Sequence, residues 1–180
     1  MKVVETELAG VCVIEPDVHG DARGYFLESF QSERYAELGV GPLVQLNHSH
    51  SRRGILRGLH FQQPKAQGKL VWTLSGAIFD VVADIRPGSP TCGRWVGVVL
   101  DAAEHKQLWV PPGYVHGFCV TSDEADVFYG CTELYAPDCE HAVAYDDPEL
   151  AIDWPDLEPL LSERDRAAPR VADARVLPSL

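Results

Sequence analysis

Between Gln45 and Leu70 the chain reads QLNHSHSRRGILRGLHFQQPKAQGKL, and the residue types in this stretch suit two kinds of chemistry. Arg52, Arg53, Arg57, Lys65 and Lys69 supply cations, and His60 sits among them. The stretch lies inside a 42-residue run, Leu38 to Phe79, that holds no Asp or Glu, although the whole protein carries 27 acids against 15 Lys and Arg. An acidic protein that clears one segment of carboxylates and fills it with cations is expected to build a positive pocket there. Guanidinium and ammonium groups bind phosphate through charge-assisted hydrogen bonds, so the expected ligand is a small anion. Imidazole exchanges protons readily near neutral pH, which makes His60 a candidate proton carrier.

A second pattern concerns metal. His48 and His50 form an HxH pair, and Pro111, Gly113 and His116 form PxGxxH. Together they resemble the two halves of the metal signature of cupin jelly rolls. Alternation on a strand places His48 and His50 on one face, so a three-histidine site is sterically conceivable. The carboxylate ligand that should follow HxH is missing, because Ser51, Arg52, Arg53 and Gly54 occupy those positions. Two arginines there repel a divalent cation. The expectation is no metal, with His48 and His50 as surface or packing residues and His116 facing a cavity.

The elements that position these residues read as short strands between Gly- and Pro-rich turns. The expected strands are Val11–Glu15, Leu43–His50, Gly58–Gln62, Leu70–Leu74, Ala77–Ile85, Arg94–Leu100, Gln107–Val110, Gly117–Val120, Asp126–Cys131 and Ala142–Tyr145. This pattern predicts an antiparallel sandwich, barrel or jelly roll. Helix is expected at Gln31–Leu38, stopped by Gly39, and in the tail beyond Pro155, where Ser162 and Asp165 have capping-box spacing. In Phe79–Ile85, alternation puts Phe79, Val81, Ala83 and Ile85 on one side, read as sheet-to-sheet core. Asp80, Val82 and Asp84 take the other side, toward a cavity or solvent.

At 180 residues the chain is expected to form a single domain, residues 1–180, with a core of its own. A net charge of −12 argues against nucleic acid and anionic membranes as partners, since both are polyanions. No apolar run is long enough to span a bilayer. The start, MKVVETELAGVCV, has acids where a signal peptide needs an apolar core, and a cytoplasmic protein is expected. The five cysteines are odd in number and lack CxxC spacing, so reduced thiols are expected rather than disulfides or a zinc site.

Taken together, the motifs resemble those of the dTDP-4-dehydrorhamnose 3,5-epimerase family and its nucleotide-sugar epimerase relatives, which are metal-free cupin jelly rolls. The landmarks run in family order: DARGYFLE at Asp21–Glu28, QLN at Gln45–Asn47, GILRGLH at Gly54–His60 and QGK at Gln67–Lys69. FDVVADIR at Phe79–Arg86, PGYVHGF at Pro112–Phe118, Tyr129, YAP at Tyr135–Pro137, IDWP at Ile152–Pro155 and LSERD at Leu161–Asp165 follow. The resemblance implies an all-β, cupin-type jelly roll with a few short helices in the N-terminal third and at the C-terminus. It implies inversion at C3 and C5 of dTDP-4-keto-6-deoxy-glucose without a cofactor, in a homodimer.

It also implies roles. His60 is expected to remove the carbon-bound proton, with Asp165 holding its other nitrogen and Asp80 as the rival orienter, near His116. Lys69 is expected to stabilise charge on the C4 oxygen. Tyr129 matches the family's acid on the opposite face, and a phenol keeps its proton at neutral pH. Tyr135 resembles the residue that stacks on thymine. Arg23, Glu28, Gln45, Asn47, Arg57, His116, Glu140 and Arg164 resemble substrate contacts, and Arg23 and Glu28 are placed to serve either their own site or a partner's. Gly130, Leu134, Tyr145 and Arg164 depart from the usual family residues. These departures leave open which sugar is bound and whether one carbon or both invert.

Overall fold

A computed structural model describes residues 1–179. In chain order the elements are β1 (Lys2–Glu5), β2 (Cys12–Glu15), β3 (Val18–Asp21), β4 (Gly24–Leu27), α1 (Ser32–Glu37), β5 (Gln45–Arg52) and β6 (Leu56–Gln62). Then follow β7 (Lys69–Ser75), β8 (Ala77–Ala83), β9 (Trp95–Asp101), β10 (Gln107–Val110), β11 (Val115–Val120), β12 (Glu124–Cys131), β13 (Glu140–Ala142) and α2 (Glu163–Arg166).

A six-stranded sheet, ordered β1-β2-β10-β7-β12-β5, packs on a five-stranded sheet, ordered β13-β6-β11-β8-β9. Their strand pairs are antiparallel. This is the expected jelly-roll sandwich. Strands β3 and β4 form a separate hairpin. β1 and this hairpin are exposed along their length and carry no buried alternation, which is why the sequence pattern passes over them. The strand expected at Ala142–Tyr145 lies earlier, at Glu140–Ala142, where it pairs with β6.

Inward-facing apolar residues of both sheets meet in the middle: Val71, Leu108 and Val127 from one, Ile78, Val82 and Phe118 from the other. Each fully buried side chain of this kind contributes about 1.5–3 kcal/mol of hydrophobic stabilisation. Two further layers cover the outer faces. Residues around α1 bury Tyr35 against Ile14, Leu70 and Trp109, and the Tyr35 hydroxyl donates to Gln107 Oε1 at 2.8 Å. On the other side Ile152, Trp154, Val171 and Val176 pack on Leu59, Phe61, Val81 and Ala83.

That outer layer reverses the expected faces of Phe79–Ile85. Phe79, Val81, Ala83 and Ile85 turn outward beneath the C-terminal segment, while Asp80 and Val82 turn into the sandwich. Alternation alone fixes which residues share a face, not which face is covered twice. Asp84 does not serve a cavity. It accepts from Arg86 at 2.9 and 2.8 Å, from Ser89 at 2.5 Å and from Thr91 at 2.6 Å, and so ties down the turn after β8.

Both helices lie in the segments expected to be helical, and each has a side-chain cap. Gln31 Oε1 accepts from Arg34 N at 2.7 Å, and Ser162 Oγ accepts from Asp165 N at 3.1 Å. The pairing of β11 with β6 is irregular. His116 pairs with His60 but Phe118 pairs with Arg57, so two steps on one strand match three on the other. This bulge brings Arg57 and His60 to the same face, where strict alternation would oppose them. Gly58, at φ +121°, is packed so tightly there that a Cβ would lie 2.6 Å from Gly117 Cα.

Candidate active site

Between the sheets, beside strands β5 and β6, lies a cavity of about 450 Å³. Its walls follow from register. On the six-stranded sheet, Lys69, Cys131 and Gln45 form one inward row, and Val71, Tyr129 and Asn47 the next. On the facing sheet, His60 pairs with His116, and Arg57 with Phe118. Gln45, Asn47, Arg57, His60, Lys69, His116, Tyr129, Tyr135, Glu140, Arg164 and Asp165 all line the cavity.

Two imidazoles there hold carboxylates. His60 Nε2 lies 2.5 Å from Asp165 Oδ1, and His116 Nε2 lies 2.7 Å from Asp80 Oδ1. Asp165 therefore reaches His60, and the rival Asp80 orients His116 instead. Burial raises the Asp165 carboxyl, but the hydrogen bond and charge of His60, with Ser162 and Arg164 behind them, outweigh it and leave the carboxyl below its usual range. His60, His116 and Asp80 stand on strands of one sheet, and α2 delivers Asp165 to them.

Lys69 is held low by burial, against the opposing pull of Cys131, Glu140 and Asp80. Burial pushes the Tyr129 phenol up, with the Cys131 charge adding to it and Arg57 opposing, so the phenol keeps its proton firmly. At the rim, Tyr135 Oη donates to Glu140 Oε2 at 2.8 Å, Arg164 pairs with the same carboxylate, and Tyr135 N donates to Gln45 Oε1 at 2.8 Å. Burial raises Glu140, and its bonds from Arg164 and Tyr135 bring it net below the usual carboxylate value.

The cation run contributes less than its length suggested. Arg57 and Lys69 reach the cavity, whereas Arg52, Arg53 and Lys65 are exposed and lie outside its lining. Arg23 and Glu28 also lie outside it. Arg23 is paired with Asp21 on the β3–β4 hairpin, and Glu28 with Arg34 at 2.5 Å. His48 and His50 project from the outer face of β5 onto Asp126, at 2.7 and 3.2 Å, so they do not converge with His116. Among the described residues no group of three or more His, Cys, Asp or Glu is placed to hold a metal.

Ser49, Gln67, Phe118 and Ser162 also line the cavity, although none of them was expected to contact a ligand. The alternation of β5 was signal enough for Ser49, since it shares its face with Gln45 and Asn47. Nothing in the sequence marked Phe118 apart from core.

The chain is similar to known proteins along nearly its whole length. The family model described as dTDP-4-dehydrorhamnose 3,5-epimerase matches residues 5–173. The chain is 47% identical to the dTDP-4-dehydrorhamnose 3,5-epimerase of Pseudomonas aeruginosa over 181 residues, covering 99% of this chain and 100% of that one. It superimposes with TM-score 0.95, at 48% identity, on the dTDP-6-deoxy-D-glucose-3,5-epimerase of Legionella pneumophila solved with dTDP-4-keto-L-rhamnose, covering 99% and 98% of the two chains. A 3'-monoepimerase of Streptomyces bikiniensis solved with dTDP-quinovose is 41% identical, with TM-score 0.88 and coverage of 93% and 86%.

Proposed function

The chain belongs to the dTDP-4-dehydrorhamnose 3,5-epimerase family, and on that premise we propose that it inverts C3 and C5 of a dTDP-4-keto-6-deoxy-hexose without a cofactor. The observation that carries the mechanism is the placement of two proton carriers on opposite walls. His60 stands on β6 of one sheet and Tyr129 on β12 of the other. A flat keto-sugar between them presents one ring face to each.

His60, held by Asp165, removes the proton from the carbon next to the C4 ketone. The C–H electron pair moves into the ring bond and the ketone becomes an enolate, whose oxygen Lys69 stabilises. Burial that lowers the Lys69 ammonium also makes it the readier donor to that oxygen. Tyr129 then returns a proton to the opposite face of the carbon, which inverts it. His60 then releases its proton to solvent and Tyr129 takes one up from it, and the sequence is repeated at the second carbon. Gln45, Asn47, Arg57, His116, Glu140 and Arg164 bind the nucleotide sugar, and Tyr135 stacks on its base.

Residues 1–180 act as one domain in this reading, in the cytoplasm, where the five free thiols stay reduced. The protein is a homodimer. Tyr25 and Phe26 on the β3–β4 hairpin are 63% and 71% exposed, an apolar surface that a second copy covers. Arg23 and Glu28 at the same hairpin serve the partner's cavity. A monomeric mass by light scattering at micromolar concentration would contradict this.

The deciding experiment is turnover of dTDP-4-keto-6-deoxy-glucose in D2O, followed by NMR. Deuterium is expected at both C3 and C5, and His60→Ala is expected to abolish its entry. Label at one carbon only reduces the reading to a mono-epimerase, the activity of the Streptomyces bikiniensis relative. No label at all, with tight dTDP binding, would leave a non-catalytic nucleotide-sugar binder.

A further inference from the structure

The inward face of β5 presents Gln45, Asn47, Ser49 and Ser51, at every second residue. Three of the four side chains are tied to protein partners. Gln45 Nε2 donates to Asn47 Oδ1 at 2.9 Å, and Asn47 Nδ2 donates to Cys131 Sγ at 3.5 Å. Ser51 Oγ accepts from Arg57 Nε and Nη2 at 3.1 and 3.0 Å. Ser49 Oγ is buried and has no partner among the described residues.

A hydroxyl carries one donor and two acceptor sites, and leaving all of them unpaired in an interior is costly. Buried side-chain polar atoms without a partner belong to Ser49, Thr73 and Asp80 among the described residues. Of these three residues, Ser49 is the one that lines the cavity. It pairs with Val127 in the register row directly beside that of Tyr129 and Asn47. A serine hydroxyl moves among three staggered positions by rotation about one bond. Ser49 therefore has a polar group on the cavity wall that nothing among the described residues holds in one position.

We propose that Ser49 is a further substrate-contacting residue, whose hydroxyl turns into the cavity and donates to an oxygen of the bound nucleotide sugar. This contact rests on the epimerase reading of the cavity. The surrounding side chains support the direction of the bond. Asn47, Arg57 and Tyr129 all offer N–H or O–H donors to the cavity. Such a wall suits oxygen acceptors, those of the hexose or of the diphosphate.

Steady-state kinetics on dTDP-4-keto-6-deoxy-glucose and calorimetric titration with dTDP, run on wild type, Ser49→Ala and Ser49→Cys, test this. Ser49→Ala is expected to raise KM about fivefold while kcat stays within about twofold, as loss of one hydrogen bond to bound substrate requires. The melting temperature should not fall, because the variant removes a hydroxyl that bonds nothing in the protein. Ser49→Cys, with a weak donor of similar size, should behave like Ser49→Ala. A parallel loss of dTDP affinity assigns the contact to the diphosphate, and unchanged dTDP affinity assigns it to the hexose. An active wild type with Ser49→Ala indistinguishable in KM overturns this inference alone, and so does a lowered melting temperature with unchanged KM. A wild type that turns over no substrate overturns the epimerase reading, and this inference falls with it.

Discussion

Two pairs of histidines, each anchored by carboxylate, point in opposite directions from the walls of the sandwich. His60 and His116 face inward, bound to Asp165 and Asp80. His48 and His50 face outward, both bound to Asp126. Hydrogen bonding to a carboxylate therefore does not by itself mark which imidazoles belong to the cavity. What differs is the company. The inward pair shares a cavity with Lys69, Arg57 and Tyr129, where low dielectric strengthens each interaction. The outward pair lies on the solvent-exposed face of an edge strand, where water screens the same contacts.

Removing imidazoles from each pair in turn should give the largest contrast. His60→Asn should lower kcat by about 10³-fold, within the range for loss of a general base. His48→Asn and His50→Asn should leave kcat within about twofold, as expected for surface changes remote from the chemistry. Comparable losses from both sets, measured by the same NMR turnover assay, would erase the distinction.

A smaller effect is expected from the carboxylate behind His60. Asp165→Asn keeps the shape of the group but not its charge, and should lower kcat by about 10- to 100-fold through a misoriented imidazole. The pH profile of the variant should shift relative to wild type, which a purely structural role for Asp165 would not produce.

The smallest effect belongs to the outer pair. Hydrogen bonds from Ser75 and then from His48 and His50 draw the Asp126 carboxyl down to about 2. A carboxyl lowered by folding stabilises the native state above its unfolded value, about 3.9. That contribution is lost as pH falls through about 2. Asp126→Asn should therefore lower the melting temperature slightly at pH above that unfolded value, with the difference from wild type closing as pH falls through about 2, and activity at neutral pH should be unchanged. A large loss of activity would show that the outer face reaches the cavity.

Much of this was legible in the chain. Alternation and turn chemistry marked the strands that carry buried faces, and the Ser162 cap marked the turn that delivers Asp165. The LRGLH and QGKL segments drew attention to Arg57, His60 and Lys69, all of which reach the cavity. Other features were not legible, for physical reasons. The exposed strands β1, β3 and β4 have no buried side to give them a period. The outward turn of Phe79 and Val81 depends on a C-terminal layer distant in sequence. The common face of Arg57 and His60 depends on a bulge that only strand pairing reveals. The cation run overstated the pocket because Arg52 faces outward on β5 and Arg53 and Lys65 stand in exposed turns, which leaves Arg57 and Lys69 to reach the cavity.

The separation of His60 from Asp165, 105 residues along the chain, has a consequence during synthesis. A nascent chain emerging from the ribosome exposes its imidazole long before the acid that orients it. Until α2 has been translated and has docked against β6, His60 lacks the carboxylate that holds its Nε2. The hydrogen bond that fixes the imidazole thus waits for the same C-terminal stretch that covers the outer sheet.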